Sequence, residues 1–505
     1  MEDIGLLLEE LKDRKIKMDI NEIDKYLESL YKRKEENEYP KIDNIEGKKI
    51  KKTEIVDSVK EDGDNNKDNK KIKEDGSEQD TKKQTIKSSS SVDDRKKKEL
   101  KKNVILLIIT ILVTLIFLEI FLRMFSPQKI YNECYEQDPE NSSTWENQLN
   151  QYIGWFPSPN YSRCFYQPDT NKIFYKTHNS KGIRLNKEIP YEKGDKKRVV
   201  LLGDSMVYGF GLNDSDTIAV RLQENLGEDY EVIPIAASGY STGQEALLLK
   251  EGLGYEPEAL KYDPDIVILF FFMNDFENNL QIMHAYGDQP ILDVDKDGII
   301  QIKNFPTKME WMKGYGPKII SLSRQDPISS FLLKYSHLYS VWFHKKSTLK
   351  FYSKKKSYLN NRTSDGYDAY IEKNLSLGTA YKILLVTKVF DEIESISQEK
   401  NFKFIVVNIP YKTEVSKKYQ KIFLDQWYDV DESYFEFKQI NNIFTEVLPA
   451  ETKESEYSIE YISLHDLAEE HFDEFYFKTD PHWNPQGIKL SADYITNELK
   501  NRKII

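Results

Sequence analysis

The run from Val104 to Phe125 constrains this chain most: Ile, Leu, Val and Phe dominate it, and Glu119 and Arg123 are its charged residues. About twenty apolar residues in succession suffice to cross a bilayer hydrocarbon core as a helix, so a transmembrane helix is expected over 103–125. A cleaved secretory leader is a poor fit, because the run starts about a hundred residues into the chain, exceeds the usual apolar length and has no small-residue cleavage site. Arg95, Lys96, Lys97, Lys98, Lys101 and Lys102 precede it, whereas Arg123 and Lys129 lie near its far end. That asymmetry predicts a single-pass membrane protein with its N-terminus cytoplasmic and the rest extracytoplasmic. Glu119 and Arg123 stand four apart, on one helix face, and can pair.

The flanks differ in composition. Residues 1–38 carry Ile4, Leu7, Leu8 and Leu11, then Ile23, Tyr26, Leu27 and Leu30, at helical spacing. One or two short amphipathic helices are expected, able to dock a cytoplasmic protein partner or to form no more than a helical hairpin. Residues 39–102 are crowded with Lys, Asp, Glu, Asn and Ser and almost lack aromatics, so they read as a disordered charged linker unable to bury enough apolar surface to fold. The net charge of −12 over 505 residues argues against nucleic-acid binding.

Beyond the membrane run, 126–196 form a lead-in segment holding both cysteines, Cys134 and Cys164. An oxidising compartment favours a disulfide between them, two free buried thiols being the alternative. Gly154 to Arg184, with Trp155, Pro157, Pro159 and Gly182, reads as irregular.

From 197 to 505 the pattern is α/β. Val199 to Leu202, Tyr230 to Ala237, Asp265 to Met273 and Phe402 to Ile409 are apolar runs of strand length. Helical patterns at Ser215 to Leu226, Thr242 to Leu253 and Leu377 to Lys400 alternate with them, which predicts right-handed crossovers and a parallel sheet covered on both faces. An insertion is expected over about 280–374. Within it, Asp293-Val294-Asp295-Lys296-Asp297-Gly298 copies the start of a calcium loop, but its twelfth position is Asn304 where such loops need a bidentate glutamate. A hairpin turning at Lys296-Asp297-Gly298 fits better. The aromatic cluster from Leu332 to His344 reads as a helix packing its aromatic face.

Chemistry gathers at strand ends. Gly203-Asp204-Ser205, Ala237-Ser238-Gly239 and Met273-Asn274-Asp275 each follow an expected strand, where an open parallel sheet places its ligands. Asp480-Pro481-His482-Trp483-Asn484 lies near the C-terminus. In this order the four blocks resemble the SGNH, or GDSL-type, hydrolase superfamily, particularly membrane-anchored bacterial members with an Asp-x-His-Trp-Asn ending. The resemblance covers about 197–501 outside the insertion. It implies a three-layer, flavodoxin-like parallel sheet, Ser205 as nucleophile, His482 as general base and acid, and Asp480 as the carboxylate orienting it. It also implies an oxyanion hole from the N–H groups of Ser205 and Gly239 and the Asn274 amide, with Asp204 shaping the nucleophile turn. Gly239 suits that role because a missing Cβ lets substrate approach its backbone.

Two departures are visible. The commoner ending puts the acid three residues before the histidine, where this chain has Thr479, and Asp480 stands two before. A Ser–His dyad or another acid is the alternative. Phe272 also occupies a position that is commonly glycine. No comparable setting surrounds His178, His284, His337, His344, His465 or His471.

The expected activity is a serine esterase acting on acyl esters, O-acetyl above all, of envelope carbohydrate or lipid. Such chemistry needs neither metal nor cofactor. An O-acyltransferase modifying a surface polysaccharide is the near alternative, and a non-catalytic scaffold or binding domain is the alternative of a different class.

Overall fold

The computed structural model describes residues 79–126 and 146–505, apart from 168, 171, 285, 296–298, 311–330, 333–334, 340, 342–355, 362–366, 449–458 and 479. The helices expected within 1–38, most of the linker, Cys134 and part of the Leu332–His344 cluster, Trp342 to His344 included, lie outside these residues. The chain divides into two units, one containing the long helix and the other the residues from Pro127 onward.

In the first unit, helix α1 spans Gln79–Phe125. Its Lys97–Phe125 portion is long and apolar enough to cross a membrane, and its apolar side chains are exposed. The Arg123 guanidinium donates to the Glu119 carboxylate at 2.9 Å. Residues 79–102, expected within the linker, are helical here. Propagating an existing helix fixes one residue per added hydrogen bond, so the apolar segment can extend into a polar stretch that would not nucleate alone.

The second unit is built on five parallel strands: β1 (Lys197–Gly203), β2 (Tyr230–Ala236), β3 (Ile266–Phe272), β4 (Lys403–Ile409) and β5 (Glu460–Ser463), in the order β2-β1-β3-β4-β5. This is the flavodoxin-like doubly wound order, whose crevice lies beyond the carboxyl ends of the strands. Register fixes which strand tips meet: Gly203 pairs with Ala236 on one side and Phe270 on the other, and Ile409 pairs with Phe272.

Strand side chains alternate between two cores, as a period of two requires. Val200, Leu202, Val267, Leu269, Phe271 and Val406 belong to one, together with residues of α4 (Thr242–Leu247), α6 (Leu377–Lys400) and α7 (Gln439–Val447). Val199, Leu201, Ile268, Phe270, Ile405 and Val407 belong to the other, with α3 (Ile218–Leu226) and α8 (Pro485–Asn501). The remaining labels are α2 (Ser205–Tyr208) and α5 (Asp275–Asn278). Both faces are covered, which explains why the inner strands read as continuous apolar runs.

Local details differ from expectation. A 3-10 turn at Asp214–Asp216 precedes α3, which starts at Ile218, and α4 ends at Leu247. The Asp293 region is a hairpin, Ile291–Val294 against Ile300–Lys303. Within Gly154 to Arg184, where irregularity was expected, the described residues form paired strands. Asn147–Asn150 pairs with Gly154–Pro157, and Ser162–Gln167 with Lys172–Thr177, all antiparallel. Cys164, which faces Tyr175 in the second hairpin, is disulfide-bonded. Buried charges secure this segment. Lys176 donates to Glu146 at 2.8 Å, and Arg184 donates to Asp214 at 2.9 Å and to the Tyr208, Gly209 and Leu212 carbonyls. An isolated buried charge is costly, so Lys176 and Glu146 tie the lead-in segment together while Arg184 fixes it against the segment after Ser205.

Candidate active site

The site begins where β1 runs out. Gly203 has no room for a side chain, since a Cβ would fall 2.3 Å from Val207 Cγ2. The chain turns there directly into α2, with Asp204 as N-cap accepting from the Met206 N–H at 2.8 Å. Ser205 is the first residue of the helix, so its N–H has no acceptor within the helix. Gly209 closes α2 in the left-handed region, φ +84°. The hydroxyl is thereby held at the end of a rigid strand.

From the other end of the chain, the loop before α8 carries His482. His482 Nε2 lies 2.8 Å from Ser205 Oγ. On the opposite ring edge, Nδ1 donates in a short hydrogen bond to Asp480 Oδ1, which also accepts the His482 backbone N–H at 2.9 Å. A two-residue spacing can therefore bring the acid to the ring, because the carboxylate folds back over the local turn. That contact fixes the tautomer with the Nδ1 proton, leaving Nε2 free to accept from Ser205. Burial pushes the Asp480 carboxyl up, but the His482 ring hydrogen bond and charge, the His482 N–H and the charge of Lys412 outweigh it and hold the group below the ordinary carboxylate range.

Asn274, just past β3, does not use its side chain to cap α5. Its Nδ2 donates to Asp204 Oδ2 at 2.9 Å, which brings the amide beside the Ser205 turn. Burial raises the Asp204 carboxyl, with the Met206 N–H, the charge of His482 and the Asn274 amide opposing it. Gly239, past β2, has φ +82°. A Cβ there would meet His284 Cε1 at 2.5 Å. The missing side chain thus makes room for the His284 ring.

His284 packs against both Trp155 (centroids 5.2 Å apart) and Tyr286 (5.3 Å), which also meet each other at 5.8 Å, and burial lowers its pKa to about 4, so it is neutral at neutral pH. Trp155 in turn donates from Nε1 to the Ser238 carbonyl at 3.2 Å. Phe210 covers the His482 ring, with centroids 4.6 Å apart. Sequence reasoning missed His284, Trp155 and Phe210, because their partners are remote in the chain; the Gly209-Phe210-Gly211 turn was the one local hint. Among the described residues, His465, Asp466 and Glu469 are close enough together to hold a metal ion, and none of them belongs to the serine site.

No protein-family model matches the chain, and no curated protein matches it. Solved structures that resemble it include the psychrotrophic esterase EstA from Pseudoalteromonas sp., 12% identical, TM-score 0.30, covering 61% of this chain and 100% of that one. An acetyl xylan esterase, AlAXEase, is 14% identical, TM-score 0.29, over 60% of this chain and 99% of the other. A carbohydrate acetylesterase family member from Sinorhizobium meliloti is 10% identical, TM-score 0.26, over 60% and 98%. At these values the chemistry of the site rests on its own geometry.

Proposed function

We propose that this chain is a membrane-anchored serine esterase that cleaves acyl esters, O-acetyl esters of carbohydrate foremost, through an acyl-Ser205 intermediate. The observation that carries this reading is the Ser205 Oγ to His482 Nε2 distance of 2.8 Å, with Asp480 on the other ring nitrogen. Ser205 Oγ attacks the ester carbonyl carbon while its proton passes to His482 Nε2. The imidazolium formed is stabilised by Asp480. When the carbon–oxygen bond to the alcohol breaks, His482 returns that proton to the departing oxygen. Water then attacks the acyl-serine, giving its proton to His482, which restores it to Ser205 as the acid leaves. The Ser205 N–H and the Asn274 amide, with the Gly239 N–H, serve the tetrahedral oxygen, each donor contributing about 3 kcal/mol to the transition state.

The anchor is α1, and the basic residues before Val104 orient it with the enzyme outside, facing envelope glycans and lipids. The disulfide at Cys164 supports an oxidising compartment.

The test uses the full-length chain in detergent micelles with a fluorophosphonate and an aryl acetate. Wild type should be labelled and should release acetate, while Ser205→Ala should do neither. A folded wild type that is neither labelled nor active leaves the scaffold reading, and acyl transfer to an added glycan in preference to acetate release leaves the transferase reading.

A further inference from the structure

Phe210 is held in an unusual way for a side chain that keeps exposed surface. It lies between Gly209 (φ +84°) and Gly211 (φ +75°), both left-handed, and its N–H donates to the Ser205 carbonyl at 2.9 Å. Its ring stacks on His482 at 4.6 Å and 29°, and Lys176 Nζ stands 5.5 Å from its centroid. Yet the residue is 37% exposed. The phenyl ring is fixed from several sides and still presents apolar surface to solvent beside the reacting imidazole.

We infer that Phe210 is the platform for the alcohol part of the ester and that it selects a carbohydrate alcohol; this rests on the esterase reading of Ser205 and His482. His482 can protonate the leaving oxygen only if that oxygen lies within about 3 Å of Nε2. The carbon skeleton attached to it then runs alongside the imidazole, where the exposed part of Phe210 is the neighbouring surface. A sugar ring offers a face of C–H groups that can pack on this exposed apolar surface while its hydroxyls stay at its rim in water. A short, flexible alcohol gains little from a flat wall. The lead-in segment takes part through Lys176, which is itself anchored by Glu146 at 2.8 Å.

The experiment compares two acetyl esters with different alcohols, an O-acetylated xylooligosaccharide and ethyl acetate, on the full-length chain in detergent. Phe210→Ala and Phe210→Leu should lose about tenfold in kcat/KM on the sugar ester. Their loss on ethyl acetate should be much smaller, and Phe210→Trp should retain the sugar ester. Fluorophosphonate labelling of Ser205 at the wild-type rate verifies a folded, competent serine in each variant. Equal losses on both esters would reduce Phe210 to a support for His482 and overturn the inference, as would an unchanged rate on the sugar ester. Wild type that is labelled and cleaves ethyl acetate but not the sugar ester overturns the platform and leaves the esterase intact. Wild type that is neither labelled nor active on any ester removes the esterase reading and the platform with it.

Discussion

The Trp483 indole N–H donates to the Met206 main-chain carbonyl at 3.0 Å, joining points 277 residues apart in the chain. Each partner is the immediate neighbour of a reacting residue, His482 and Ser205. The buried tryptophan therefore sets the histidine loop against the nucleophile turn. Trp483→Phe keeps most of the ring volume but leaves the Met206 carbonyl without its donor, which costs about 1–3 kcal/mol. Displacement of Nε2 by a fraction of an ångström should also lower kcat about tenfold or more. Thermal unfolding and steady-state kinetics test the two effects; a lowered Tm with unchanged kcat would show that the bond serves the fold alone.

Asp480→Asn tests the two-residue spacing. An amide in place of the carboxylate can accept the Nδ1 proton but cannot stabilise the imidazolium, so kcat should fall by about a thousandfold or more while Ser205 and His482 remain in place. A mild decrease would mean that a Ser–His dyad suffices. The pH dependence has a definite sign. Asp480 titrates below its ordinary value, so the stability it contributes is complete above pH 3.8, its unfolded value, and is lost only as pH falls through the lower folded one. Its ionisation should not limit activity in mild acid.

The sheet was legible because β1, β3 and β4 are buried on both faces and therefore appear as unbroken apolar runs. Ser205, Asn274 and Gly239 were legible because they follow strand ends, and His482 because Asp480 and Trp483 accompany it. The lead-in hairpins were not. Their strands mix buried Trp155, Phe156 and Phe174 with buried Asn147, Gln167 and Lys176, so no clean apolar alternation marks them. β5, with only Glu460–Ser463, is too short to register as a pattern. The surroundings of Gly239 were unreadable for another reason: His284 comes from the insertion, and its stacking on Trp155 joins segments that no local signal relates.

Gly239 and His284 should show coupled effects. Gly239→Ala must both adopt φ +82° and push a methyl against the imidazole at 2.5 Å, so it should impair stability and kcat together. Shrinking the neighbour in Gly239→Ala/His284→Ala removes the clash but not the backbone strain. The double variant should therefore be less damaged than the sum of the single changes, by about 1 kcal/mol in a thermal double-mutant cycle. Strict additivity would mean that the ring shifts without cost and that only the backbone conformation demands glycine.

Glu414 gives a stability test that is independent of the serine chemistry. Its carboxyl is buried and accepts the Tyr411 N–H at 2.6 Å, and burial raises its pKa from 4.5 to about 8, with the Tyr411 N–H offsetting only part of that rise. Between those values the folded chain retains a proton that the unfolded chain releases. Stability must therefore fall as pH rises through that window, by at most about 1.4 kcal/mol per unit from this group. Glu414→Gln preserves an oxygen acceptor and has no proton to lose, so the fall of Tm between pH 5 and pH 8 should be shallower in the variant. The difference between variant and wild type should grow with pH to a few degrees in favour of the glutamine. Parallel Tm profiles would show that Glu414 is already ionised in the folded protein at pH 5, and that another cation or water compensates it.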